Sequence, residues 1–139
     1  IKGMFVFSIY EKKTGKLFIA RDIPGEKPLY YLRKNNFLYF ASEAKALKKA
    51  LNLKRTKNKF FETFQHCSEE TLWKDVYQLP PAHYIEYNLK SKKFSINEYW
   101  KIKQKKINNK TATEELEYLL KKSVKLCTQA DVDYGGYYS

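Results

Sequence analysis

LFIARDIPGEKPLYYLRKNNFLYFA, residues 17–41, holds three short apolar runs separated by two kinds of turn. The first run, LFIA at 17–20, is the length of a strand. The second and third, LYYL at 29–32 and FLYFA at 37–41, flank Asn35 and Asn36, which tolerate the left-handed backbone of a tight hairpin turn. Between the first and second runs lie Asp22, Pro24 and Gly25, all turn-forming types. Toward the N-terminus, MFVFSIY at 4–10 is almost wholly apolar and rich in aromatic and β-branched residues, and reads as a strand covered on both faces. The polar EKKTGK at 11–16, with Gly15, joins it to LFIA as a hairpin.

Ser42 is placed to cap a helix in which Ala44, Leu47, Ala50 and Leu51 recur at spacings of three and four. Residues 52–59 read as a basic linker, and Phe60, Phe61 and Phe64 as a second short helix. After Pro80 and Pro81, His83, Ile85, Tyr87 and Leu89 alternate with Tyr84, Glu86 and Asn88, the pattern of a strand. A turn at 90–93 leads into another strand at 94–100, a second hairpin unit. The polar, basic KIKQKKINNK at 101–110 marks a boundary between structural units. Thr111 to Glu114 match a capping box, and Leu116, Leu119, Leu120, Val124 and Cys127 then form one helical stripe. DVDYGGYYS at 131–139 reads as a loop feeding a strand. The fold class expected from these elements is α+β.

The 139 residues, 43% apolar and 17% aromatic, suffice for one compact core. No run approaches the roughly 18 apolar residues of a membrane span, and no signal-type leader precedes the first strand, so a soluble intracellular protein is expected. Cys67 and Cys127 sit in neither disulfide-framework nor zinc-ligand spacing. The formal charge of +12 rests on 24 Lys and only three Arg, spread along the chain. Nucleic-acid recognition favours the planar guanidinium, so this balance argues for solubility rather than a nucleic-acid partner.

Residues capable of chemistry read mostly as structural. Asp22, beside Pro24 and Gly25, suits bonding to turn amides better than catalysis. Arg21 has Glu43 as a candidate ion-pair partner. His66 and Cys67 are sequence neighbours, which seldom present side chains as nucleophile and base. His83, without a metal-ligand partner at a suitable spacing, reads as a half-buried structural histidine. Gly135 and Gly136 are too short a run for a phosphate loop.

Six strings in order resemble the glutamine-dependent asparagine synthetase family: GMFVFSIY (3–10), LFIARDIPGEKPLYY (17–31), LYFASEAKAL (38–47), VYQLPPAHYIEYNL (76–89), EYW (98–100) and the closing segment 114–139. The resemblance implies residues 1–106 as the later half of a type 2 glutamine amidotransferase domain, inside an Ntn-hydrolase αββα sandwich. It implies residues 107–139 as the first helix and strand of an α/β ATP-pyrophosphatase domain. The implied protein is a cytoplasmic carbon–nitrogen ligase converting ATP, aspartate and glutamine to asparagine, glutamate, AMP and pyrophosphate. Its substrates would be glutamine, aspartate and ATP with Mg; a homodimer is compatible, a membrane is not implied.

By the same resemblance Arg21, Asp22 and Gly25 match the family's RDxxG motif, and Ser42 and Glu43 its ASE motif, as scaffold around the glutaminase site. Tyr137, Tyr138 and Ser139 fall at the edge of the ATP site, just before the family's SGGxDS loop. Four positions depart from the family: Tyr137 and Tyr138 replace aliphatic residues, Asp133 a proline and Glu26 an apolar residue. The family's N-terminal cysteine nucleophile, its glutamine-binding Arg and its oxyanion segment match nothing here. No catalytic residue is therefore assigned, and the 139 residues by themselves are expected to be inactive. Two other readings stand beside this one: an amidotransferase of glycan or secondary metabolism, and a noncatalytic basic interaction module.

Overall fold

The Asn35–Asn36 turn closes as its composition predicts: both residues are left-handed, with φ of 50° and 60°. They join β3 (Tyr30–Lys34) to β4 (Phe37–Ala41), with Lys34 opposite Phe37. A computed structural model describes residues 1–56, 69–104 and 108–136. The other strands are β1 (Val6–Glu11), β2 (Lys16–Arg21), β5 (Tyr77–Gln78), β6 (His83–Asn88) and β7 (Phe94–Glu98), and the helices are α1 (Ala44–Leu51) and α2 (Asn109–Cys127). The chain divides into two compact units, Ile1–Lys101 and Ile102–Ser139.

In the first unit all pairing is antiparallel. One sheet has the order β1-β2-β6-β7 and the other β4-β3-β5. Ile19, Ile85 and Tyr87 of the first sheet pack with Tyr31 of the second and with Leu29 and Leu79 from the connections. On the opposite face of β3, Leu32 packs with Leu47 of α1 and with Val76. Successive β3 side chains thus enter two separate cores, as the period of two requires, and α1 covers the second sheet. The α+β architecture holds, and the layering of sheet, sheet and helix is compatible with part of an αββα sandwich.

Several local expectations are corrected. The N-terminal run is an edge strand rather than one covered on both faces: among the described residues β1 pairs with β2 alone and residues 8–11 are exposed, a distinction that an apolar run cannot encode. Ser42 does not cap α1; Glu43, in extended conformation, holds the N-cap position without a side-chain hydrogen bond. The linker reading of 52–59 fails at its start, because Thr56 N–H donates to the Leu72 carbonyl and Lys74 N–H to the Lys54 carbonyl. The two-residue β5 is too short to leave a pattern.

In the second unit α2 begins earlier than the Thr111 capping box implies. Asn108, the stronger cap type, accepts from Thr111 N–H at 2.8 Å, which puts Thr111 inside the first turn. The helical stripe is real, but Leu116, Leu119, Leu120 and Val124 are 50–61% exposed. Residues 131–136 form no strand. Phe60, Phe61 and Phe64 lie outside the described residues.

Two isoleucines on the first sheet separate core from surface. Ile85, fully buried, is expected to cost about 2–5 kcal/mol as Ile85→Ala. Ile9, 56% exposed, is expected to change stability by no more than about 0.5 kcal/mol as Ile9→Ala. Urea denaturation measures both, and equal midpoint shifts would contradict this layering.

Candidate functional site

At the end of β2 two adjacent charged residues, Arg21 and Asp22, are buried, which is tolerable only where each is fully hydrogen-bonded. Asp22 Oδ1 accepts from Glu26 N–H at 2.8 Å, and Oδ2 from Lys27 N–H at 3.0 Å and Phe5 N–H at 3.2 Å. Arg21 does the converse. Its Nε donates to the Lys27 carbonyl at 2.7 Å, Nη1 to the Leu79 carbonyl and Nη2 to the Gly25 carbonyl. The carboxylate thus takes the amides of the loop after β2, and the guanidinium takes its carbonyls.

Gly25 is part of the same unit. Its φ is +70°, its N–H donates to the Asp22 carbonyl, and a Cβ there would lie 2.6 Å from Pro81 Cγ and 3.2 Å from Arg21 Nη2. Glycine alone fits. The Asp22 backbone ties in both flanks, with its N–H on the Phe5 carbonyl and its carbonyl taking Ala82 N–H. Tyr99 closes the arrangement: its hydroxyl donates to the Arg21 carbonyl at 2.6 Å and its N–H to the Ala82 carbonyl.

Burial pushes the Asp22 pKa up, but the amides of Lys27, Glu26, Phe5 and Gly25 together outweigh it and hold the carboxyl below its ordinary range. With both oxygens occupied by backbone donors and the ionised form favoured, Asp22 clamps the loop through its amides. Burial pulls the Arg21 guanidinium down and pushes the Tyr99 hydroxyl up, the latter reinforced by the Asp22 charge. The expected Arg21–Glu43 pair is absent: Glu43 bonds Lys45 at 2.7 Å, and Arg21 Nε, Nη1 and Nη2 each donate to a backbone carbonyl.

Ser42 and Glu43 are exposed at the end of β4 and share no hydrogen bond with the clamp among the described residues. Glu26, the family departure, contributes its amide to Asp22 while its side chain is exposed, so an apolar side chain is not required there. His83 places Nδ1 2.7 Å from the Pro81 carbonyl, a structural contact. Cys127 is exposed on α2, and no group of three metal-ligating side chains exists among the described residues. A Cβ on Gly135 or Gly136 would meet nothing within 4 Å, so no close packing requires glycine at either position. His66, Cys67, Tyr137, Tyr138 and Ser139 lie outside the described residues. Sequence reasoning missed Tyr99 and the Phe5 amide. Tyr99 in the EYW string was visible, but its long-range partner was not.

Asp22→Asn replaces one carboxylate oxygen with a donor facing a backbone N–H, and is expected to destabilise the chain by about 1–3 kcal/mol at neutral pH. Because the folded pKa is depressed, that stability is complete above the unfolded value of about 3.9 and is lost as pH falls through the folded pKa. The gap between wild type and variant, followed by thermal melts, should therefore close below about pH 4. A gap independent of pH would rule out the ionised clamp.

The glutamine amidotransferase domain family matches residues 1–100. A Methanocaldococcus jannaschii protein assigned as a glutamine-hydrolysing asparagine synthetase is 30% identical, over 99% of this chain and 28% of its own length. A Bacillus subtilis glutamine-hydrolysing asparagine synthetase is 28% identical over 97% of this chain and 20% of its own length. A second one from Bacillus subtilis is 50% identical over 37% of this chain and 8% of its own length. The chain thus spans less than a third of the length of these relatives. With the match over residues 1–100 and relatives of one kind along nearly its whole length, this chain belongs to the glutamine amidotransferase domain family, on the side of the glutamine-hydrolysing asparagine synthetases.

Proposed function

We propose that these residues serve a glutamine-dependent asparagine synthetase, in which glutamine is hydrolysed and the released ammonia amidates aspartate activated by ATP with Mg. The observation that supports this reading most is the family match over residues 1–100, which covers the whole clamp built from Arg21, Asp22 and Gly25. In this reading the clamp is scaffold. It fixes the backbone at Phe5, Leu79 and Ala82, and the reacting groups come from elsewhere in the protein. The cytoplasm is the matching compartment, and no described helix is long and apolar enough to cross a membrane.

The test uses the full-length gene product with glutamine, ATP, Mg and a panel of carboxylate acceptors, read by mass spectrometry of the amidated product. Aspartate-dependent asparagine formation, with AMP and pyrophosphate, is expected. Amidation of a glycan or another acceptor to the exclusion of aspartate would overturn the acceptor assignment in favour of glycan or secondary metabolism. The 139-residue chain alone is expected to release no ammonia from glutamine, and measurable release would show that it carries a nucleophile of its own.

A further inference from the structure

Three hairpin turns meet at the end of the two sheets away from the clamp. The turn after β1 and the turn after β6 are joined by Leu89 N–H on the Gly15 carbonyl at 2.8 Å and by Asn88 Nδ2 on the Thr14 carbonyl at 3.4 Å. The β3–β4 turn is tied to them by the Tyr87 hydroxyl on the Asn36 carbonyl, and Arg33 lies 4.9 Å from the Phe94 ring centroid. These turns and the strand ends beside them carry Lys12 and Lys13, then Arg33 and Lys34, then Lys90, Lys92 and Lys93, all exposed.

The carboxylates at this end are engaged: Glu86 pairs with Lys16 at 2.8 Å, and Glu11 accepts from the Thr14 hydroxyl. The remaining ion pairs among the described residues lie elsewhere, so none of the seven cations on the turns has a carboxylate partner there. Like charges within a Debye length of about 8–10 Å repel, and an outside counter-charge relieves that repulsion as it binds. The turns are also held in place, since Asn88 Oδ1 accepts from Lys90 N–H and Ser91 N–H, which limits the ordering a partner must impose. Among the cations stands Phe37, 61% exposed, with Lys92 Nζ 6.0 Å from its ring centroid.

We propose that this end docks an acidic polypeptide segment, with Asp or Glu side chains meeting the turn cations and an apolar side chain lying on Phe37. Carboxylates fit better than phosphates. Six of the seven cations are Lys, not the forked Arg that phosphate recognition favours. The surface lies at the opposite ends of β2 and β4 from the motif residues, so a segment bound there leaves the clamp untouched.

The experiment measures fluorescence anisotropy of a short labelled peptide alternating Glu and Leu against the full 139-residue chain. Its Gln/Leu counterpart, a single-stranded oligonucleotide and phosphatidylglycerol vesicles serve as competitors. Salt-sensitive binding of the Glu peptide is expected. The K12Q/K90Q/K92Q variant should weaken it about tenfold, the scale of three exposed charge contacts. An equal removal of charge on and beside α1, K45Q/K49Q/K54Q, should change it by no more than about twofold. Phe37→Ala should weaken binding without altering its salt dependence. Equal loss in both triple variants would reduce the effect to net charge and overturn the proposal. So would tighter binding of the oligonucleotide or the vesicles, or no binding of the Glu peptide at low salt.

Discussion

A loop that turns sharply leaves amides and carbonyls pointing inward together, and one kind of side chain cannot satisfy both. After β2 the chain meets this demand with neighbours of opposite charge. Asp22 accepts from Glu26, Lys27 and Phe5, while Arg21 donates to Gly25, Lys27 and Leu79. Neither charge is worth burying for its own attraction, because desolvation consumes most of the Coulombic gain. What the pair secures is geometry, since a buried polar network satisfied in one arrangement is costly in any other. Through it the start of β1, the Leu79–Ala82 connection and Tyr99 are fixed relative to the end of β2.

The layers extend that constraint. β3 lies between two cores, with Tyr31 facing the first sheet and Leu32 facing α1, so the second sheet cannot shift against one neighbour without disturbing the other. The strands also sort two chemistries to opposite ends. One end carries a closed network of backbone partners; the other carries cations on and beside short turns, without carboxylate partners among the described residues. The outer face of the first sheet is different again, an open apolar depression of about 410 Å³ bordered by Phe5, Phe7, Phe18, Tyr84 and Tyr99.

Local signals were legible where one residue type has one use. Asn35–Asn36, Gly15 and the alternation through His83–Asn88 each led to the right element, and Asp22 with Gly25 announced a turn. Failures came where the deciding partner is remote. The exposure of β1 depends on which strand stands beside it, and the Arg21 guanidinium finds Leu79, 58 residues away, rather than the nearby Glu43. At α2 two competent caps lay three residues apart, and Asn108 prevailed over Thr111 because its side chain reaches the third helical amide. The motif strings identified the family and singled out Arg21, Asp22 and Gly25, yet the bonds these residues make became visible only in the fold.

The pairing of β2 with β6 sets Lys16 opposite Asn88 and Ala20 opposite Tyr84, joining segments that every hairpin leaves far apart in sequence. The hairpins β1–β2, β3–β4 and β6–β7 need only local loop closure, whereas this seam must gather a long intervening chain. Closure entropy grows slowly with length, by about 0.6 kcal/mol for each doubling. Once the seam and the Arg21–Leu79 bond have formed, a change in the number of residues between β2 and β6 therefore carries only a small closure cost, provided that it spares the Thr56–Leu72 and Lys74–Lys54 pairings.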